Sequence, residues 1–360
     1  MSKNDNNSLH VRKGTEPNDS VNPEFRAKKL SLRSAKEYTD GIKSGNRTLL
    51  SQAITLIESS KEEYRNLGQE VLEACLPETG NSIRIAITGV PGVGKSTFIE
   101  AMGQHLINQG KKLAVLTIDP SSSRTKGSIL GDKTRMPILS ASENAYIRPS
   151  PTSGTLGGVA QKTRETLLLC EAAGYNTIFI ETVGVGQSET TVHSMVDFFL
   201  LLMLPGAGDE LQGIKRGIME MADLIAINKA EGENLKAAKR AGRDYENALS
   251  LFPPPSSGWK PKVVTCSALK HVGIENIWDE IEDYLSVTEE NSYFKTRRRE
   301  QAAYWMHETI NNQLKESFYK KPAIASEIKV LEKRVLEGSI SSFKAADELM
   351  KIFLKEQGFD

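Results

Sequence analysis

Cysteine is scarce. Cys75, Cys170 and Cys266 are the only three in 360 residues, and none stands in a Cys-x-x-Cys pair. An odd number at these spacings makes a poor disulfide framework and suits a reducing compartment, so a cytoplasmic protein is expected. Net charge is also missing. Lys plus Arg and Asp plus Glu both number 46. That balance speaks against a nucleic-acid or anionic-membrane partner recognised by overall charge. Long apolar runs are absent: the longest, Phe198 to Leu204, is far too short to cross a bilayer. The first twenty residues, MSKNDNNSLHVRKGTEPNDS, have no apolar core and carry acidic groups, which fits neither a secretory signal nor a mitochondrial presequence.

What remains is an ordinary globular mixture, 39% apolar and 26% charged, long enough for about two domains. Residues 1–26 read as a polar, flexible tail. Residues 27–79 read as helical. Leu49, Leu50, Ala53, Ile54 and Ile57 recur at three-to-four spacing on one face, and Val71 and Leu72 continue in a further helix. Residues 80–288 alternate between strand-like and helical runs. The strand candidates are Ile83–Thr88, Leu113–Ile118, Thr177–Glu181, Phe198–Leu204, Asp223–Asn228 and Lys262–Cys266. Most are continuous apolar runs, the pattern of strands buried on both faces of a parallel sheet. The expected fold is therefore α/β, a mostly parallel, doubly wound sheet. A helix is expected from Ser96 to Gln109, closed by Gly110. Residues 289–360 show helical spacing only, in Ala302, Trp305, Met306, Ile310, Leu314 and Phe318 and then in two more stretches, Ala325–Val335 and Ser342–Glu356. Two readings stand open for them, a cap packed on the core and an arm for self-association.

The chemistry begins at Gly89-Val90-Pro91-Gly92-Val93-Gly94-Lys95-Ser96-Thr97, which fits G-x-x-x-x-G-K-[ST] between an expected strand and an expected helix. Its glycines let successive amides turn inward around a β-phosphate, and the helix N-terminus adds partial positive charge. Lys95 is placed to reach the β- and γ-phosphates, and the Ser96 hydroxyl to meet Mg²⁺. Asp119 and Glu181 close strands at the same edge, and Asp132 lies in a loop nearby. Such hard oxygens suit Mg²⁺. Glu181 and Gly184 have the spacing of a Walker B acid and a switch glycine that senses the γ-phosphate. Water aligned near them would attack in line.

Two further loops close strands at this edge: Asn228-Lys229-Ala230-Glu231 and Cys266-Ser267-Ala268-Leu269. The pair resembles guanine-recognition loops, in which a carboxylate accepts from the base's N–H groups and a Ser-Ala amide donates to its carbonyl. Adenine would leave those groups unpaired. The fourth position here is Glu231 where Asp is usual, which moves the carboxylate by about one bond length. GTP and GDP are the expected substrate and product.

From about residue 38 onward the chain resembles the MeaB/ArgK-type GTPases, a methylmalonyl-CoA mutase-associated, metallochaperone-like P-loop family. The blocks that carry the likeness, in order, are DGIKSGNRTLLSQAITLIES, GVPGVGKST, LTIDPSSSRTKGSILGDKTRM, IRPSPTSGTLGGVAQKT, IETVGVGQSE and LPGAGDELQGIKRGIMEMADL. The resemblance implies a P-loop GTPase that gates an adenosylcobalamin-dependent acyl-CoA mutase by controlling cofactor loading and protecting the enzyme. It implies a homodimer joined through C-terminal helices. It also implies Lys95, Asp119, Asp132 and Glu181 as phosphate and Mg²⁺ residues, and Gly206 to Lys215 as a switch facing the partner. Rival readings are a nickel- or cobalt-delivery GTPase, a small-molecule kinase and a non-hydrolysing scaffold. The first needs a Cys/His cluster, whereas the interval between the phosphate motifs offers only His105 and Cys170, far apart. Arg124 and Lys126 are candidates for a charge-stabilising finger by loop position alone.

Overall fold

The computed structural model describes residues 32–118, 135–149, 156–182, 188–206 and 216–356. The expected tail, residues 1–26, lies outside them, as do Asp119, Arg124, Lys126, Asp132, Gly184 and all but the first residue of the expected switch from Gly206 to Lys215. Ala35–Asp360 forms one compact unit.

Seven strands build the sheet: β1 (Ile83–Gly89), β2 (Leu113–Ile118), β3 (Ala145–Arg148), β4 (Thr177–Thr182), β5 (Phe198–Met203), β6 (Leu224–Ile227) and β7 (Lys262–Thr265). Their order is β3-β2-β4-β1-β5-β6-β7 and every pairing is parallel. All residues of β1, β2, β4, β5 and β6 are buried. This is the burial that continuous apolar runs predict for a sheet covered on both faces. The expected fold holds, and the sheet is parallel throughout. The sequence reading missed β3. It is only four residues long at the sheet edge and pairs only with β2, and a run that short carries little periodicity.

The helices in chain order are α1 (Ala35–Lys43), α2 (Arg47–Glu58), α3 (Glu62–Cys75), α4 (Lys95–Asn108), α5 (Pro137–Ala141), α6 (Leu156–Ala172), α7 (Ser188–His193), α8 (Arg216–Glu220), α9 (Asn234–Leu249), α10 (Ile274–Glu290), α11 (Tyr293–Tyr319), α12 (Pro322–Leu336) and α13 (Ser342–Glu356). In α2 the apolar stripe Leu50, Ala53, Ile54 and Ile57 is fully buried, and the Asn46 side chain caps the helix through the amides of Thr48 and Leu49. Helix α4 closes at Gly110 with φ +80°. The amides of Gly110 and Lys111 bond back to Ile107 and Leu106, a left-handed C-terminal cap. At the far end, α12 and α13 pack into a small separate core of Ile324, Leu331, Ile340, Ala345 and Leu349.

Arg84 interrupts the apolar run of β1 yet is buried. Its guanidinium forks onto Glu171 of α6 at 2.8 and 2.9 Å. Burial works to raise the Glu171 carboxyl, but Arg84, the Ser82 hydroxyl and Arg298 outweigh it and hold the group below the usual range. Truncating one partner would strand the other's charge in the core. Glu171→Ala is therefore expected to lower unfolding stability by about 3–5 kcal/mol, read as a drop in urea midpoint with little change in slope.

Candidate functional site

Strand order assembles the site. β4 lies beside β1 although β2 and β3 precede it in the chain, and the register sets Glu181 opposite Ile87. Glu181 thus stands at the sheet edge where the loop after Gly89 begins, 7% exposed. At the ends of the same two strands, the Thr182 hydroxyl donates to that of Thr88 at 2.8 Å. On the other side β5 sets Leu202 opposite Gly89. There a Cβ on Gly89 would meet the Leu202 carbonyl oxygen at 2.3 Å, and φ is +153°. Only glycine fits that position. Gly94, with φ +94°, caps α4 and leaves the helix N-terminus open toward the loop.

Lys95 opens α4, and its ammonium folds back over the loop, donating to the carbonyls of Gly89 at 2.8 Å and Val90 at 3.4 Å. Burial pushes its pKa down, while the carboxylates of Glu181 and Glu189 push it up. The Ser96 hydroxyl donates to Glu181 Oε1 at 3.3 Å. A hydroxyl and a carboxylate side by side are the hard-oxygen pair a magnesium ion takes when its other ligands are phosphate oxygens and waters. The residues present therefore fit that ion. Pro91, Gly92 and Thr97 are exposed, and Val90 and Val93 are buried.

The base loops join the same assembly. The Asn228 side chain is buried. Its amide donates to the Val93 carbonyl at 2.8 Å, and its carbonyl accepts from the Ala268 amide at 3.0 Å. One side chain thus ties the phosphate loop to both base loops. Lys229 adopts φ +59° and donates to the Gly92 carbonyl at 2.8 Å. Ala230 donates to the carbonyl of Cys266 at 3.0 Å. The Ser267 hydroxyl accepts from the amide of Lys270 at 3.1 Å. Leu269 is exposed. One carboxylate oxygen of Glu231 is buried and accepts no hydrogen bond. A buried acceptor left this way is costly unless a ligand supplies the donor.

The structure therefore brings Lys95, Ser96 and Glu181 into one cluster and links it through Asn228 to Lys229, Ser267 and Ala268. The sequence reading missed Glu189. It is fully buried in the first turn of α7 and is one of the two carboxylates acting on Lys95. Its place in IETVGVGQSE was the available signal. Among the described residues no three His, Cys, Asp or Glu side chains group as a metal-ion cluster. His105 bonds to its helix neighbour Gln109, and Cys170 is buried in the core with its thiol pushed far up by burial. Also among the described residues, no helix is long and apolar enough to cross a membrane.

Comparison with known proteins gives a consistent picture. The family described as "Methylmalonyl Co-A mutase-associated GTPase MeaB" matches residues 50–323. The Escherichia coli protein named GTPase ArgK is 48% identical over 273 residues, covering 76% of this chain and 82% of its own. The Mus musculus protein named methylmalonic aciduria type A homolog, mitochondrial, is 46% identical over 326 residues, covering 88% and 78%. A crystal structure titled LAO/AO transport system kinase superposes with a TM-score of 0.71 at 36% identity, covering 90% of this chain and 99% of that one.

The contact at Gly89 yields a direct expectation. Gly89→Ala should displace the phosphate loop, because backbone of β5 rather than a yielding side chain blocks the added methyl group. Nucleotide binding, followed by calorimetry, should be lost while far-ultraviolet circular dichroism keeps its α/β shape.

Proposed function

The chain is a GTPase of the MeaB family, the methylmalonyl Co-A mutase-associated GTPases, and on that premise we propose that it hydrolyses GTP with Mg²⁺ as chaperone and gatekeeper of an adenosylcobalamin-dependent acyl-CoA mutase. The observation that carries this reading is the single connected edge on which Lys95, the Ser96–Glu181 pair and the Asn228 bridge meet.

In this reading the loop amides of residues 89–94 cradle the β-phosphate and Lys95 turns from its carbonyl acceptors onto the β- and γ-phosphates. Ser96 and Glu181 hold the magnesium ion, with Asp119 and Asp132 as further ligands. When bound, the ion neutralises charge on the transferred phosphoryl group. Attacking water stands in line near Glu181 and Gly184. The unsatisfied oxygen of Glu231 accepts from guanine, and the Ala268 amide region, with Ser267 and Leu269, faces its carbonyl oxygen. The segment from Gly206 to Lys215 contacts the mutase. Two chains pair through α11, α12 and α13, whose surface leaves Met306, Ile310, Leu314 and Phe343 exposed. Cytoplasm suits three buried free thiols.

Three measurements test this. Lys95→Ala should abolish multiple-turnover phosphate release from GTP; retained turnover would overturn the assignment. Glu231→Ala should weaken GTP binding by roughly ten- to a hundredfold, the value of hydrogen bonds to a charged group, and leave ATP binding where it was. Adding the cobalamin-dependent acyl-CoA mutase of the same genome should raise GTP turnover by on the order of tenfold or more, as partner completion of a phosphoryl-transfer site does. An unchanged rate with no co-elution would dismiss the mutase as partner.

A further inference from the structure

The five-residue stretch His193–Asp197 runs from the last turn of α7 to the start of β5, and every one of its carbonyls is met by a side chain distant in sequence. Arg297 Nη2 lies 3.5 Å from the carbonyl of His193 and 3.0 Å from its ring Nε2. The Trp305 indole donates to Ser194 at 3.1 Å. Arg164 reaches the carbonyl of Met195 at 3.5 Å. Gln301 donates to Val196 at 2.7 Å, and the Tyr284 hydroxyl to Asp197 at 2.9 Å. The Asp197 carboxylate is itself held by Arg298 at 2.7 and 2.8 Å and by the Arg84 amide at 2.8 Å.

Carbonyls at a helix end and in the following turn ordinarily face water. Here three come under residues of a single helix, α11. Arg297, Gln301 and Trp305 stand four residues apart on one face and are 8%, 5% and 7% exposed. Burying guanidinium, amide and indole N–H donors together is costly unless each donor finds an acceptor. Apolar packing alone would not require that set. The His193 ring also reports the grip. Arg297 only donates, so Nε2 accepts and the imidazole is neutral. Burial and the adjoining cation depress its pKa to about 3.

What the clamp holds adjoins the phosphate loop. Helix α7 has six residues, too few to be stable by propensity. It carries Glu189, packs on β1 and β4 whose ends form the phosphate site, and begins directly after the segment containing Gly184. We propose that Arg297, Gln301 and Trp305 are positioning residues for GTP hydrolysis, fixing the connection after α7 and so setting where α7 stands against the ends of β1 and β4. The proposal rests on the GTPase activity. Helix α11 continues past the clamp to the exposed Met306, Ile310 and Leu314. Displacement of that outer half is therefore transmitted to α7, and movement of α7 is transmitted outward.

The test uses the full chain carrying Gln301→Met with Trp305→Phe, and Trp305→Phe alone as the milder change. Both substitutions remove an N–H donor and keep an apolar body of similar form. Rates are expressed per nucleotide-binding site, counted with a fluorescent GTP analogue. The double variant is expected to lose about tenfold in kcat, the scale of a small misplacement of groups at a reacting centre. Its KM for GTP should stay within about twofold. Amides of α7 should exchange with deuterium at least about tenfold faster in the analogue-bound protein. Trp305→Phe alone should move the same quantities in the same direction. A merely structural role predicts fewer binding sites with parental kcat at each; that result, or parental kcat with parental exchange, overturns the proposal. The GTPase reading is tested separately by the parent protein's own turnover in the same assay.

Discussion

A serine hydroxyl and a glutamate carboxylate 85 positions apart meet at 3.3 Å because β4 pairs with β1. Most of the site follows from that pairing. With β4 beside β1, the end of one strand carries the phosphate loop and the end of its neighbour carries the acid. Ligands of open α/β sheets collect at such strand ends, so the loop and the acid face one site. The opposite neighbour, β5, sets the floor of the loop. Its Leu202 carbonyl comes so close to Gly89 that no side chain fits at the start of the loop. Parallel pairing on both sides of β1 is thus the constraint under which Lys95, Ser96 and Glu181 converge.

The second constraint is polar and lies toward the opposite end of the strands. The Glu171–Arg84 and Asp197–Arg298 ion pairs form a largely buried chain, joined by the bond from the Arg84 amide to Asp197, that ties β1 to α6, to the start of β5 and to α11. Arg298 also donates to the carbonyls of Gly80 and Ser82, just before β1. Such a network is a weak source of net stability but a strict one of geometry, since every member must be in place for any to be tolerated. It holds the N-terminal ends of β1 and β5 and the root of α11 in one arrangement. The nucleotide edge above inherits the spacing of those strands.

These two constraints differed in how far they were legible in the residues. The phosphate loop, the apolar runs of β1, β2, β4, β5 and β6 and the terminal helices were readable because each signal is local: a glycine spacing, a burial period, a cap. Gly110 at the close of α4 is an instance. Short β3 was not readable, because four residues at an edge carry almost no period. The burial of Arg84 was not readable either: its partner Glu171 lies 87 positions away, and no local pattern announces it. Asn228 was singled out by its motif but not as the brace of the phosphate loop, since Val93 is 135 positions distant. Glu189 sat within a quoted motif, yet its burial beside Lys95 depends on where α7 packs. The unread part is thus long-range polar pairing, which sequence spacing does not encode.

Helix α11 shows how the two ends of the molecule are joined. Its 27 residues span about 40 Å, and its two halves invert the usual division of surface and core. The inner half buries polar groups, Arg297, Gln301 and the indole N–H of Trp305, against backbone carbonyls. The outer half leaves Met306, Ile310 and Leu314 exposed before meeting the small core of α12 and α13 at Phe318. Polar burial of that kind fixes direction, because a hydrogen bond lost on tilting is not replaced. Exposed apolar surface fixes nothing until another surface covers it. An unbroken helix between them does not bend to absorb a change at either end, having no proline or glycine within it. The outer half therefore takes its direction from the carbonyls after α7, from the Arg298 bonds at the root of the helix and from packing on α6, and the connection after α7 is in mechanical register with the exposed Met306, Ile310 and Leu314.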